Sequence, residues 1–303
     1  MLKPLLFGIT VLTYNSEDVV LSCIAQLKLA LADAPHEIVV VDNASSDNSA
    51  GVVEAAFPDV KVFRMGRNLG YARGNNVGGR ELADRCSYLA FINPDVTVER
   101  NTMQKMQQVL EQHQEAGGVG GLALINGKPS RNCFRTKPTF FQKLVLYGTL
   151  RDLPILRNLL RSSVNDLEKE HFLNLTSTQP VYAVSGACVL FSAEAYRRIG
   201  GFDEHTFLFQ EEFIVSELLR RAGYAVYGCP GATYAHVHGH SIQRRLLHAE
   251  RIFIQSEQYL IRAYYYWKWP WRATMLALRY SEWALHACVV GLNRILKSVR
   301  SQR

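Results

Sequence analysis

Through the first hundred residues, short apolar runs alternate with stretches in which apolar positions recur every three or four residues. The run Leu5-Leu-Phe-Gly-Ile-Thr-Val-Leu12 is rich in β-branched residues and predicts a buried strand. The polar turn Thr13-Tyr14-Asn15-Ser16-Glu17-Asp18 comes after it, with Ser16 placed to cap a helix from about Glu17 to Asp33. "HEIVVVDNASSDNS" repeats the scheme, giving a strand that ends at Asp42, a turn, and a helix near Ser49–Phe57. "VKVFRMG" predicts a third strand, "RNLGYARGNNVGGRELA" a glycine-rich opening into a helix, and "YLAFINPD" a fourth strand. Strands separated by helices of this length predict an α/β fold with a parallel sheet and right-handed crossovers.

A helix around Arg100–Ala116 and a strand at Val119–Ile125 come next, and then periodicity fades from Asn126 to about Thr178. That stretch, which holds the amphipathic piece "LRDLPILRNLLRS", reads as an insertion over the active face. Regular patterning returns in "VYAVSGACVLFSAEAYRRIGGFDE" and in "FLFQEEFIVSELLRRAG", a helix ended by Gly223. Beyond "YAVYGCPGATYAHVHGHS" the chain reads as helical to Arg303, with "YLIRAYYYWKWPWRATM" unusually aromatic. The expected organisation is a domain over 1–242, with halves of about 1–125 and 126–242, and a helical, basic and aromatic extension over 243–303.

Composition adds few exclusions. With 303 residues, 48% hydrophobic and 20% charged, the chain can bury a sizeable core and is neither disordered nor repetitive. The net charge of +7 is concentrated late, in Arg244, Arg245, Arg251, Arg262, Lys268, Arg272, Arg279, Arg294, Lys297, Arg300 and Arg303, which favours anionic partners. Six scattered cysteines without a C-x-x-C pair argue against zinc-finger spacing and for a reducing cytoplasm. The opening apolar run is short and lacks a cleavage site, so it is read as a strand rather than a signal peptide. No apolar run of about 18 residues predicts a spanning helix.

Three polar clusters fall at predicted strand ends, where open α/β sheets bind ligands: Tyr14-Asn15, Asp42-Asn43 and Asn93-Pro94-Asp95. Each alone is an ordinary turn composition, and their recurrence is what points to a site. Asp95, with Pro94 fixing its approach, is placed to hold a hard divalent cation such as Mg²⁺ or Mn²⁺. The glycines of "NLGYARGNN" permit backbone approach to a ligand, and Arg73 offers charge to a phosphate, although the spacing matches no phosphate-loop signature. Glu211 and Glu212 open a helix, where acids are also favoured by the helix dipole; one of them suits a general base. His236, His238 and His240 alternate and would share one face of an extended strand, as metal ligands or as structural histidines.

In order and spacing, "VLTYNSED", "IVVVDNASSDNS", "NLGYARGNN", "FINPDV", "GACVLFSAEAYRRIGGFDE", "FLFQEEF" and "HVHGHS" resemble the family 2 glycosyltransferases of the GT-A fold, over most of residues 5–241. The likeness is greatest to the bacterial rhamnosyltransferase-like branch that builds surface polysaccharide. The resemblance implies that Asp42 contacts the donor base or ribose and that Thr13, Tyr14 and Asn15 shape the nucleotide pocket. It places Asn68, Arg73, Asn76 and Asn93 against the donor. Asn93-Pro94-Asp95 stands in for the family's D-x-D, leaving Asp95 as the principal carboxylate ligand, completed by His238 or, second, His236. Glu212 falls where the family's catalytic Asp is usual, with Glu211 as its alternative, and Ile214 departs from a position where relatives carry an acid.

The reaction implied by the resemblance is an inverting transfer from a nucleoside-diphosphate sugar, dTDP-rhamnose first and UDP-sugars second, to a saccharide or lipid-linked acceptor in O-antigen or capsule (lipopolysaccharide) synthesis. The aromatic–cationic C-terminal segment implies peripheral contact with the inner face of the cytoplasmic membrane, or else subdomain packing or a homodimer contact. Nucleic acid is not an expected partner. The competing classes are a nucleotidyltransferase, whose glycine-rich basic signature "TYNSED" lacks, and a non-catalytic saccharide- or nucleic-acid-binding module.

Overall fold

A computed structural model describes residues 5–148, 161–236 and 246–301. The first elements are β1 (Leu5–Thr13), α1 (Val20–Ala30), β2 (His36–Asp42), α2 (Ser49–Ala56), β3 (Lys61–Arg64), α3 (Tyr71–Leu82) and β4 (Cys86–Ile92). They build a parallel half-sheet in the order β3-β2-β1-β4. Ile38, Val39, Val40 and Val41 are all buried, so both faces of β2 are covered, which is why its sequence is continuously apolar rather than alternating. Removing each such side chain from water contributes roughly 1.5–3 kcal/mol.

The glycines of α3 serve the sheet. A methyl group on Gly74 would lie 2.5 Å from Leu12 Cδ1, and one on Gly78 would lie 2.5 Å from Thr10 Cγ2, so the helix backbone rides directly on β1. The expectation that this glycine-rich stretch brings backbone to a ligand is therefore corrected at Gly74, whose missing side chain is needed for helix–strand contact. α1 starts at Val20 rather than Glu17, and Ser16 does not cap it: the Ser16 hydroxyl donates to Tyr14 O at 3.2 Å. The turn before the helix is instead tied to the next loop, with Glu17 N donating to Asp47 Oδ2 at 3.1 Å and Asn48 N to Glu17 Oε2 at 3.0 Å.

The chain continues through β5 (Val96–Val98), α4 (Thr102–Gln112), β6 (Ala116–Ile125), β7 (Lys128–Pro129), β8 (Phe134–Arg135), α5 (Phe140–Leu146) and α6 (Arg161–His171). Then come β9 (Gln179–Val181), β10 (Ala183–Val184), β11 (Cys188–Ser192), α7 (Ala193–Ile199), α8 (Glu211–Arg221) and β12 (Ala225–His236). β11 inserts antiparallel between β4 and β6, β12 runs parallel to β6, and β5 pairs antiparallel with the end of β12. The sheet is thus parallel on one side and mixed on the other, and helices flank it. α7 has local signals at both ends: Ser192 Oγ accepts from Ala195 N at 3.1 Å, and Gly200 closes it at φ 76°.

Two compact units result, one of Met1–Lys137 with Phe172–Ser241 and one of Pro138–His171 with Ile242–Arg303. The second contains α5, α6, α9 (Leu246–Leu260), a π-helical turn (Ile261–Tyr265) and α10 (Trp269–Ser301). Its interior is ionic as well as apolar. Arg279, 3% exposed, donates Nε to Glu257 Oε2 at 2.7 Å and Nη1 to Glu282 Oε2 at 3.2 Å, while Lys143 Nζ lies 3.5 Å from Glu257 Oε1. Among the described residues no helix is long and apolar enough to cross a membrane. Most of "LRDLPILRNLLRS" lies outside the described residues.

Candidate active site

The parallel register sets Thr13 beside Asp42, at the carboxyl ends of β1 and β2. Both side chains are buried, and Thr13 Oγ1 and Asp42 Oδ1 have no hydrogen-bond partner; Asp42 Oδ2 lies 3.4 Å from Ser45 N. Two unsatisfied oxygens at adjacent strand ends are costly in a finished fold and are positioned to receive donors from a ligand. Tyr14 is exposed beside them. Asn15, at φ 52°, accepts from Ser46 N at 2.7 Å and donates its own N–H to Ser45 Oγ at 2.9 Å, so it locks the loops after β1 and β2 together.

Other expected residues are engaged within the protein. Asn68 Oδ1 accepts from Asn43 Nδ2 and from Gly70 N, both at 2.9 Å, and Asn43 Oδ1 accepts from Leu69 N at 2.7 Å. Asn76 donates to Phe202 O at 2.8 Å and Glu204 Oε1 at 2.9 Å, and accepts from Tyr196 Oη at 2.7 Å and Phe202 N at 2.9 Å. All four of its hydrogen-bonding positions are filled. Arg73 Nε donates to Glu204 O at 3.1 Å and lies 3.6 Å from Glu204 Oε2.

The third cluster lies just past β4. Asn93 N donates to Ala187 O at 2.9 Å, and Asp95 Oδ1 lies 3.3 Å from His236 Nε2. The register of β5 with β12, in which Val96 faces His236, makes this meeting of residues remote in the chain. Of the three alternating histidines only His236 is described; His238 and His240 lie outside the described residues. Among the described residues no third His, Cys, Asp or Glu joins the pair in a metal-holding group.

The turn Ser185-Gly186-Ala187 links this cluster to the acidic pair. Tyr71 Oη donates to Gly186 O at 2.7 Å, and a methyl on Gly186 would lie 3.3 Å from Glu212 Cγ. Tyr71, Gly186, Glu211 and Glu212 line a small cavity of about 20 Å³, floored by Val189, Phe191 and Phe202. Glu211 is 7% exposed, and its Oε1 has no hydrogen-bond partner; burial, and then the charge of Glu212, pushes its carboxyl up to about 8. Glu212 is more open and accepts from Arg135 Nη2 at 3.2 Å. Phe209 and Gln210, at φ 73° and 70°, place two non-glycine residues in the left-handed region immediately before the pair, a strained entry of the kind that concentrates at functional sites.

Sequence patterning does not reveal Arg135, Tyr71 or Gly186. Arg135 lies in the aperiodic stretch and is fixed only by tertiary contacts, its guanidinium stacked 4.9 Å from the Phe213 ring and donating to Val184 O at 3.2 Å. The one available signal is an arginine held between Phe134 and Thr136 before regular patterning resumes.

The chain is 24% identical over 246 residues to the N-acetylglucosaminyl-diphospho-decaprenol L-rhamnosyltransferase of Mycobacterium tuberculosis, covering 78% of this chain and 77% of that one. The mannosyltransferase PcManGT from Pyrobaculum calidifontis, solved with GDP-Man and Mn²⁺, superposes with a TM-score of 0.55 at 16% identity, over 97% of this chain and 81% of that one. GalNAc-T7, solved with UDP, GalNAc and Mn²⁺, gives 0.59 at 14% identity, over 78% of this chain but only 45% of that one. At such identities the structural likeness speaks for the GT-A fold alone. The family model of glycosyl transferase family 2 matches residues 9–200, well over half the chain, and the protein is accordingly a glycosyltransferase belonging to that family.

Proposed function

We propose that the chain is an inverting, cation-dependent transferase that moves a sugar, rhamnose from dTDP-rhamnose in the first instance, to a saccharide carried on a lipid diphosphate. The observation that carries this reading is the 3.3 Å approach of Asp95 to His236 at the ligand edge of the sheet. A carboxylate and an imidazole this close, both at the ligand edge, are suitable donors for a single Mn²⁺ or Mg²⁺, so the pair fits such an ion. Asp95 and His236 would hold the ion, with His238 as a further candidate; when bound, it supplies positive charge to the departing diphosphate.

The chain's own residues do the rest. Thr13 Oγ1 and Asp42 Oδ1 take up donors of the nucleoside. Glu212, half-open and oriented by Arg135, removes the proton of the acceptor hydroxyl as that oxygen bonds to the anomeric carbon. The bond from that carbon to the diphosphate oxygen breaks in the same displacement, its electron pair leaves with the diphosphate, and the configuration inverts. Glu211 is the poorer base, since burial keeps it protonated at neutral pH. Asn76, Asn68 and Arg73 act by holding the loops that frame the donor.

The rhamnose donor and lipid-linked acceptor are supported by the name of the mycobacterial relative, and the cation by the Mn²⁺ of the two solved neighbours. Surface-polysaccharide synthesis at the inner face of the membrane is the setting this acceptor implies. A thermal-shift panel of nucleotide sugars with and without Mn²⁺ tests the reading: a ligand at a hundred times its Kd stabilises by about 2.7 kcal/mol. Selective, Mn²⁺-dependent stabilisation by dTDP-rhamnose is expected, and a panel with no stabilising nucleotide sugar would overturn it.

A further inference from the structure

Between Ile242 and Arg303 eleven basic residues face three acidic ones. All three acids are engaged: Glu250 by His286 Nδ1 at 2.6 Å, and Glu257 and Glu282 by Arg279. The segment is thus strongly cationic in composition.

Three of those basic residues share a cavity of about 440 Å³ formed by α9, the π-helical turn and α10. Arg262, Arg272 and Arg279 line it together with Glu257, whose charge Arg279 offsets through the 2.7 Å hydrogen bond, and among the described residues neither the Arg262 nor the Arg272 guanidinium makes a hydrogen bond or an ion pair. Gln258 lines it as well, and its buried Nε2 has no hydrogen-bond partner. Ile254, Ile261 and Met275 give the same cavity an apolar wall. Nearby in the chain stand aromatic side chains that the fold leaves in solvent: Trp269 is 74% exposed, Tyr266 71% and Trp271 50%.

Two guanidiniums without a partner among the described residues and a buried amide donor call for an anion rich in acceptor oxygens, and the apolar wall, which Trp269 extends, calls for a hydrocarbon chain attached to it. Exposed Trp and Tyr among basic residues have the chemistry of a bilayer interface. We propose that this cavity binds the phosphate head group of a lipid, with Arg262, Arg272 and Gln258 donating to the phosphate oxygens and the first carbons of the chain against Ile254, Ile261 and Met275. This deepens the reading of a lipid-carried acceptor, on which it rests, by assigning the carrier its own site in the second unit.

Farnesyl diphosphate is a suitable probe, titrated by calorimetry against the full chain in EDTA, beside farnesol and inorganic diphosphate. Wild type should bind farnesyl diphosphate at least about tenfold more tightly than either fragment. The R262A/R272A pair should weaken that binding by about tenfold or more, since each arginine supplies charge-assisted hydrogen bonds, whereas R262K/R272K keeps the charge and most of the affinity. If the alanine pair fails to melt cooperatively, R262Q/R272Q, closer in size, carries the same expectation. Asp42→Asn should leave farnesyl diphosphate binding unchanged. Equal affinity in wild type and the arginine variants, loss of binding in Asp42→Asn alone, or equal binding of inorganic and farnesyl diphosphate would each overturn the proposal. Nucleotide-sugar stabilisation is read separately, so a chain that passes the sugar panel and fails here refutes only the lipid site.

Discussion

The two units bury charge in opposite ways. In the second, Arg279, Lys143, Glu257 and Glu282 form a cluster of two cations and two anions, each held against an opposite charge. In the first, Glu211 and Glu212 set two acids side by side, so that burial and the charge of Glu212 raise the Glu211 carboxyl, and Thr13 Oγ1, Asp42 Oδ1 and Glu211 Oε1 are left without hydrogen-bond partners. Opposite charges buried together hold one another in place, so that removing one is costly; two acids buried together on a well-packed sheet mark where a ligand or a proton is meant to go.

The strongest way to break this contrast is Asp95→Ala. It should abolish cation-dependent donor turnover while the melting transition persists, because Asp95 lies at the ligand edge rather than in the core; activity retained in EDTA would remove the metal from the picture. Glu212→Gln should spare donor binding and lower kcat by about 10²–10⁴. A larger loss in Glu211→Gln would exchange the roles of the two acids. In the second unit, Arg279→Leu leaves Glu257 and Glu282 buried without their shared partner and should cost about 3–5 kcal/mol by denaturant unfolding, with no direct effect on donor binding.

The smallest effect sharpens the comparison through pH. Glu211 has its carboxyl raised to about 8 in the fold against an ordinary value of 4.5, so the folded chain holds more protons than the unfolded chain between those limits. Stability from this group is therefore full below about pH 4.5 and declines as pH rises toward 8. Glu211→Gln should flatten that decline, seen as a smaller drop in Tm between pH 5 and pH 8 than in wild type.

Much of the first unit is legible in the sequence because its determinants are local. β1 to β4 arise from apolar runs, and Asp42, Asn93 and Asp95 stand where those runs stop. Asn68 and Asn76 stand out as residues but not for what they do, since their hydrogen bonds run to Asn43, Phe202 and Glu204, which no spacing reveals. Gly74 misleads for a related reason: a glycine needed for helix–strand contact looks, in sequence, like one needed for a ligand. Arg135 is invisible because it is set by packing against Phe213, and the insertion of β11 between β4 and β6 is a long-range pairing that periodicity does not encode.

The register of β5 against β12 has a consequence for how the chain is made. Asp95 emerges early in synthesis and His236 late, and they meet only when β12 has paired both with β6 and with the short β5. A nascent chain that has completed β1 to β4 already owns its Thr13–Asp42 edge but lacks the imidazole. Contacts of such high sequence separation form slowly, so this corner is expected to close last. Catalytic competence would then be withheld from partly made chains and granted only with the final strand.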